Sequence, residues 1–432
     1  MDAMEIELSN NPKSDLQYRR RVLVSALFGW TLDGYEGSIL PIVMSALLVG
    51  LGLPATATFQ AGILLSVTLI GWAAGGILGG LFADRWGRKR VLIYSMLLYM
   101  AFSGLTFFAQ SIPEVALIRF LTGLGLGAEW ASGAVLLSET WPAHLRSRAT
   151  SRMQSGYGWG QLAASAVWLI LSLTTLPGGN WRYAFLIGTV PAIALLYIRR
   201  GIKESILWMS PDVQDRVSQT GFLRELFSPK YRRITLLTFV LASVSSFAFW
   251  GVSSWIGPYN ALLAKNHHML NSQLWTALST AFYAVGAIAG FFAFGYFAEL
   301  FGRKRSIALY FLGGLMTASL PYLVTQPLWE LPVVAISGFF NLGLFAWLPT
   351  YLPELYPTLI RSTASGSIYN ASRVIAAGAP FFGGYFIHIF HSFVIVSALT
   401  SLVYLLGIIV VFNRALPETK GVVLDTLVVP EI

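Results

Sequence analysis

Five charged residues fall well inside stretches that are otherwise apolar, away from their ends: Asp33, Glu36, Arg119, Glu129 and Arg373. A charge at the centre of a bilayer costs roughly 2.5–3.5 kcal/mol on insertion scales, so each is expected either to act on a transported charge or to pair with another residue. Counted from residue 22, where its apolar stretch begins, Asp33 lies ~16 Å along a helix axis at 1.5 Å per residue, near mid-depth. Glu36 follows one turn later and is expected on the same face. Mutual repulsion of two such carboxylates favours protonation of one of them, which suits reversible proton carriage. Glu129 is a further candidate carrier, and Arg119 sits nearer the outer end of the same stretch. The competing reading is that these charges pair with one another and hold helices together.

Arg373 lies ~14 Å into its own stretch. A guanidinium offers a planar fork of donors that matches a carboxylate or phosphate. Asn370 and Tyr369 stand one turn before it, on adjoining faces. This cluster is a candidate anion site, against the alternative of an interhelical salt bridge. Tyr35, Trp159, Trp250, Gln161 and Asn341 are candidates to line the same cavity, with Trp30, Gln154, Trp255 and Trp347 behind them. Packing and interface roles are the alternative for each.

These residues must be positioned by membrane-spanning helices. The chain has 432 residues, 55% hydrophobic and only 11% charged, against about 25% charged in soluble domains. Backbone polar groups in lipid must bond internally, so long apolar stretches are helices. The pattern predicts twelve, near 22–48, 59–83, 91–110, 114–138, 151–175, 183–199, 233–260, 273–298, 305–325, 329–351, 363–389 and 392–413. The expected organisation is a cytoplasmic tail over 1–21, a six-helix bundle over 22–199, a cytoplasmic linker over 200–232, a second bundle over 233–413 and a cytoplasmic tail over 414–432. The polar segment from Met1 to Tyr18, with Asp2, Glu5, Glu7 and Asp15, reads as a tail and not as a signal peptide.

The charge distribution supplies an orientation. Of 29 Lys and Arg residues, only Arg182 and Lys265 fall in the loops on one side, and only Arg119 and Arg373 lie more than one residue inside a span. All the others fall on the opposite side, which the positive-inside rule makes cytoplasmic, with both termini there. A net charge of +9 therefore reads as topology, not as nucleic-acid binding. The chain has no cysteine, and its five histidines show no metal-ligand spacing. No cofactor or metal is expected, and no nucleophile–base set points to an enzyme.

An internal repeat divides the chain. Gly80-Leu-Phe-Ala-Asp84-Arg-Trp-Gly87-Arg88-Lys89-Arg90 returns as Gly295-Tyr-Phe-Ala-Glu299-Leu-Phe-Gly302-Arg303-Lys304-Arg305. Glu139-Thr-Trp-Pro142-Ala-His-Leu-Arg146 returns as Glu354-Leu-Tyr-Pro357-Thr-Leu-Ile-Arg361. Both recur at one offset, 295 − 80 and 354 − 139, or 215 residues. A shared offset indicates duplication of a six-helix unit. The glycines permit close approach of helix ends, and the acids at 84 and 299 can pair with basic groups of neighbouring helices. Gly80, Asp84, Gly87 and Arg88 with Gly295, Glu299, Gly302 and Arg303 are therefore candidates for a conformational latch on the inner face. A purely topogenic basic cluster would not need the glycines and acids.

Gly-x-x-x-Asp-Arg-x-Gly-Arg-Lys-Arg at 80–90 resembles the loop 2–3 signature of the major facilitator superfamily, and Arg119-x-x-x-Gly123-x-x-x-Gly127 resembles its fourth-helix motif. Lys203-Glu-Ser-Ile-Leu-Trp208 and Pro417-Glu-Thr-Lys-Gly421 are similar to marks of its sugar and metabolite porters. Asp33-Gly34-Tyr35-Glu36 resembles the Asp-Gly-x-Asp pattern of aromatic-acid:proton symporters, with Glu for the second Asp. The run from Glu354 to Arg373 resembles sialic-acid and lactate symporters. The resemblance implies an all-α fold of two six-helix bundles, a substrate site between them near the midplane, and a chain working as a monomer on a small-molecule substrate and protons. Three transport readings follow: proton-coupled uptake of a small organic anion, transport of a neutral sugar or polyol, and drug efflux. The last is disfavoured because Ser155-Gly-Tyr-Gly-Trp-Gly-Gln161 lacks the Gly-Pro pair of drug antiporters. Compact loops point to a prokaryotic inner membrane.

Overall fold

The computed structural model describes residues 12–54, 58–174, 176–200, 204–205, 208–209, 221–269, 272–390, 392–422 and 424. Much of the expected linker, including Lys203 and Arg216, lies outside the described residues, as do 1–11 of the first tail and 423 and 425–432 of the second. The described residues form eighteen helices and two short 3₁₀ turns. The N-terminal half contains α1 (Pro12–Gly50), α2 (Thr58–Trp86), α3 (Arg88–Leu105), α4 (Ile112–Thr140), α5 (Ala143–Gln154), α6 (Gly156–Ser172) and α7 (Asn180–Arg200). A short α8 (Phe222–Leu226) precedes the C-terminal half. That half contains α9 (Arg232–Ser253), α10 (Ile256–Asn266), α11 (Ser272–Leu300), α12 (Arg303–Thr317), α13 (Leu320–Leu323), α14 (Pro327–Asn341), α15 (Trp347–Leu355), α16 (Arg361–Phe390), α17 (Phe393–Ser401) and α18 (Val403–Val411).

These make twelve crossings, several of them interrupted: α5–α6 at Ser155, α9–α10 at Ser254–Trp255, and α14–α15 at a 3₁₀ turn over Gly343–Ala346. Among the described residues, eight segments are long and apolar enough to span a membrane by themselves. The other four crossings are α1, α5–α6, α7 and α16. Two of these hold the central charges: α1 carries Asp33 and Glu36, and α16 carries Arg373. Large apolar side chains such as Leu117, Ile193, Leu328 and Ile409 face outward, as lipid-facing surface requires.

The halves meet along α2 against α16 and along α5–α6 against α11. Gly76 lies against Asn370, where any Cβ would collide with the amide. Small residues at such crossings let backbones approach closely. The turns entering α3 and α12 are matched. Gly87 and Gly302 have φ of 99° and 93°, a conformation that side chains other than glycine rarely adopt.

Candidate functional site

Where the halves meet, residues from α1, α2, α5, α6, α9, α16 and the 3₁₀ turn before α15 line a small, partly open cavity. Its walls are aromatic: Trp30, Trp72, Tyr157, Phe249, Trp250, Phe345 and Tyr369, with Gln154 and Arg373 as the polar groups. The Arg373 guanidinium is held between two rings, 4.2 Å from Trp72 on α2 and 4.1 Å from Tyr369 on its own helix. It also donates to Asn370 Oδ1, while Asn370 Nδ2 donates to the Gly366 carbonyl at 2.8 Å. Ring faces attract a cation without neutralising it, so Arg373 keeps its charge toward the cavity. Asp33 on α1 is fully buried and lies within electrostatic reach of Arg373, Tyr369 and Tyr157. A cation, an acid and a shell of flat apolar walls can receive a small planar anion and carry a proton beside it.

Glu36 departs from the expectation. It does not form a carboxylate pair with Asp33. Its Oε2 lies 3.1 Å from Arg119 Nη1, Arg119 Nη2 donates to the Glu36 carbonyl at 3.3 Å, and Ser103 Oγ donates to Oε1 at 2.6 Å. Three residues turn a helix through 300°, leaving the two acids roughly 60° apart. That angle is enough to aim Asp33 at the Arg373 cluster and Glu36 at α3 and α4. Glu36 and Arg119 line a second small cavity, with Leu40, Thr68 and Pro380. Trp72 and Trp250 belong to both cavities and stand between them.

Other expected lining residues lie elsewhere. Trp159 is 45% exposed on the outer surface of α6, because Gly158 and Gly160 turn the packed faces of that helix toward α11 and α1. Gln161 is half-buried and outside both linings. Tyr35 is buried and donates to the Ala184 carbonyl at 2.6 Å, tying α1 to α7. Asn341 accepts from Tyr404 and bonds Ser337, inside the C-terminal half. Glu129 is buried on α4 and lines neither cavity. The important lining residues not singled out from sequence are Trp72, Tyr157, Phe249 and Phe345. Nothing in their spacing separates them from the many aromatics used in packing.

At the end carrying the basic loops, the candidate latch residues join a reciprocal network. Asp84 pairs with Arg88 at 3.1 Å and accepts from Thr363 N and Oγ1 of the opposite half at 2.6 Å each. Its repeat partner Glu299 pairs with Arg148 of the opposite half and accepts from Arg148 N at 3.3 Å. Residues 148 and 363 are themselves related by the 215-residue offset (363 − 148). Glu139 binds Arg361 at 2.7 Å and Glu354 binds Arg146 at 3.2 Å, again across the halves. Glu354 also binds Arg303 within its own half at 2.9 Å. Gly80 lies against Ser362, and Gly295 against Arg148 and Ser151.

The two porter-like segments dock on this network. Glu204 accepts from Arg88 N and Lys89 N at 3.0 and 3.1 Å, and Glu418 from Arg303 N and Lys304 N at 2.8 and 3.1 Å. Each thus caps the unsatisfied first turn of a helix, where a carboxylate is favoured. A Cβ on Gly87 or Gly302 would occupy the capping carboxylate's place. Ser205 and Thr419 complete the pattern, donating to Glu139 and Glu354 at 2.5 Å each.

This architecture, a duplicated six-helix bundle with a cavity between its halves, is that of a secondary transporter. The chain belongs to the Major Facilitator Superfamily, whose family model matches residues 22–266. A Haemophilus influenzae protein named for metabolite transport is 32% identical over 94% of this chain and 98% of its own length. A Cupriavidus pinatubonensis protein named for 4-methylmuconolactone transport is 30% identical over 85% and 83% of the two chains. The cis,cis-muconate transport protein of Acinetobacter baylyi is 28% identical over 86% and 89%. Among solved structures, the proton:xylose symporter XylE bound to 6-bromo-6-deoxy-D-glucose superposes with a TM-score of 0.75 at 20% identity, covering 94% and 98%. The twelve-helix fold and the absence of an enzymatic role expected from the sequence stand with these relatives. The chain is an integral membrane transporter of small molecules.

Proposed function

We propose that this transporter takes up a small organic carboxylate together with a proton, by alternating access. The observation that carries the reading is Arg373, a buried guanidinium fixed between Trp72 and Tyr369 in a cavity shared by both halves. In a low-dielectric site an incoming carboxylate gains a charge-assisted, two-pronged bond there. The aromatic walls favour a flat, unsaturated carbon frame. The muconate relative has a substrate of that chemistry, an unsaturated carboxylate.

Asp33 is the proton carrier in this reading. Ionised, it competes with the substrate for Arg373; protonated, it releases the guanidinium to the incoming anion. Anion and proton then bind in support of each other, which is the thermodynamic requirement for symport. Glu36 and Arg119 hold α1 to α4 at the second cavity. The reciprocal network of Asp84, Arg88, Glu139 and Arg361 with Arg146, Glu299, Arg303 and Glu354 is the latch that closes one end and must part when that end opens. The basic loops support a cytoplasmic location for that end and both termini, and the bacterial relatives support a prokaryotic inner membrane.

Pro417-Glu-Thr-Lys-Gly421 gives little support to a sugar substrate, because Glu418 and Thr419 are engaged by α12 and Glu354, away from the cavity. The test is uptake into proteoliposomes of labelled muconate, nicotinate and xylose, with and without an inward proton gradient. Carboxylate accumulation that needs the gradient supports the proposal. Xylose accumulation without carboxylate uptake overturns it.

A further inference from the structure

A second buried acid lies in the C-terminal half, away from the central cavity. Glu330 stands on the first turn of α14 and is fully buried. Its neighbours Asn260 on α10 and Ser279 on α11 are fully buried as well. Asn260 Nδ2 donates to Ser279 Oγ at 2.5 Å, and Ser279 Oγ donates to Glu330 Oε1 at 3.0 Å. That chain leaves two acceptors over. Glu330 Oε2 and Asn260 Oδ1 are both buried and take no part in those two bonds, while the Asn260 side chain also lies within hydrogen-bonding reach of the Glu330 carboxyl. A small buried apolar cluster of Ala264, Trp275 and Leu331 joins the same three helices.

Among the described residues, no cation pairs with Glu330. The other titratable groups facing Glu330 are the phenols of Tyr259 on α10 and Tyr322 on α13. Tyr259 Oη already donates to the Val324 carbonyl at 2.7 Å, and Tyr322 Oη to the Val252 carbonyl. Lys265 near the end of α10 and His267 just beyond it are exposed. The ring Nε2 of His267 is engaged with the Thr325 carbonyl at 2.7 Å. A buried carboxylate without a cation is strongly disfavoured, and such a group neutralises by binding a proton. One proton on Oε2 also removes the other deficit, because the resulting hydroxyl can donate to Asn260 Oδ1.

We propose that Glu330, with Asn260 and Ser279, forms a proton-binding site in the C-terminal half, occupied while α10 is packed against α11 and α14. Separation of α10 from α14 admits water, frees the carboxyl to ionise and releases the proton. Repacking requires a proton to return. The site does not depend on the identity of the substrate or on Asp33.

The test is infrared difference spectroscopy on the purified protein in lipid at neutral pH. The native protein shows the carbonyl stretch of a protonated carboxylic acid that Glu330→Gln lacks. In Ser279→Ala the same band persists but shifts, because its carbonyl oxygen loses a donor. Glu330→Gln, an isostere of the neutral acid, folds and keeps the native thermal midpoint. Identical native and Glu330→Gln spectra in this region overturn the proposal. So does a thermal midpoint raised by sodium at fixed pH in the native protein alone, which makes the oxygen cluster a metal-cation site. If Glu330→Gln fails to fold, Ser279→Ala decides: a shifted band supports the site, and an unshifted one removes Glu330 from it.

Discussion

Glu36 and Arg119 clasp α1 to α4: Oε2 stands 3.1 Å from Nη1, and Nη2 reaches the Glu36 carbonyl at 3.3 Å. Both side chains are almost completely buried. Three residues earlier on α1, Asp33 is directed to a different neighbourhood, that of Arg373. One helix therefore offers two acids with two separate tasks.

The first prediction follows from that division. Breaking a buried ion pair from one side leaves a bare charge and costs about 3–5 kcal/mol. Glu36→Gln and Arg119→Gln are each expected to lower thermal stability strongly, and the double variant to recover most of the loss. Thermal unfolding of the purified variants checks it. A Glu36→Gln protein as stable as native, yet unable to couple to protons, would return Glu36 to the carrier role.

Asp33→Asn mimics a permanently protonated carrier. It should abolish uphill accumulation under a proton gradient while exchange of substrate across the membrane survives. Counterflow and gradient-driven uptake in proteoliposomes separate the two activities. Native accumulation by Asp33→Asn removes this residue from coupling.

Arg373→Ala should lose most carboxylate binding, because the anion would enter a low-dielectric cavity without a partner. Arg373→Lys keeps the charge but loses the planar fork and its stacking between Trp72 and Tyr369, and should bind at least about tenfold worse, roughly 1.4 kcal/mol. With Asp33 as competitor, native binding should tighten as pH falls, and Asp33→Asn should flatten that dependence. Calorimetric titration across pH measures both. Unchanged affinity in a folded Arg373→Ala protein defeats the assignment.

Asp84 bonds Thr363 across the halves but lies outside both cavities. Asp84→Asn should lower turnover while substrate affinity stays within a few-fold, since it alters an equilibrium between conformations and not a substrate contact. A collapse in affinity with turnover retained would contradict the latch.

The orientation is open to a direct test in a chain without cysteine. A cysteine at Lys265 should react with an impermeant maleimide added outside intact cells, and one at Arg216 should not. The reverse labelling pattern would invert the topology.

Period, hydropathy and loop charge belong to contiguous residues, so the sequence alone determined the helical crossings, the duplication and the resemblance to a transporter family. The repeat at 80–90 and 295–305 marked Asp84 and Glu299 because both copies had kept an acid at the same place. The sequence also placed Asp33, Glu36 and Arg373 within apolar stretches, since a charge in such a stretch is conspicuous without any partner. What it left open was which groups face which. Asp33 and Glu36 differ by only about 60° around one helix, and only the packing of α3, α4 and α16 sends one to Arg119 and the other toward Arg373. Trp72 and Trp159 are alike as letters. One became a cavity wall and the other an exposed surface, because the glycines beside each set which face the neighbouring helix can approach. Glu330 stands near the start of an expected span, and nothing in the sequence marks it out. Its burial arises only when α10 and α11 close over it, bringing Asn260 and Ser279 from distant parts of the chain. Partners at such separations leave no periodic trace, so tertiary packing alone decides them.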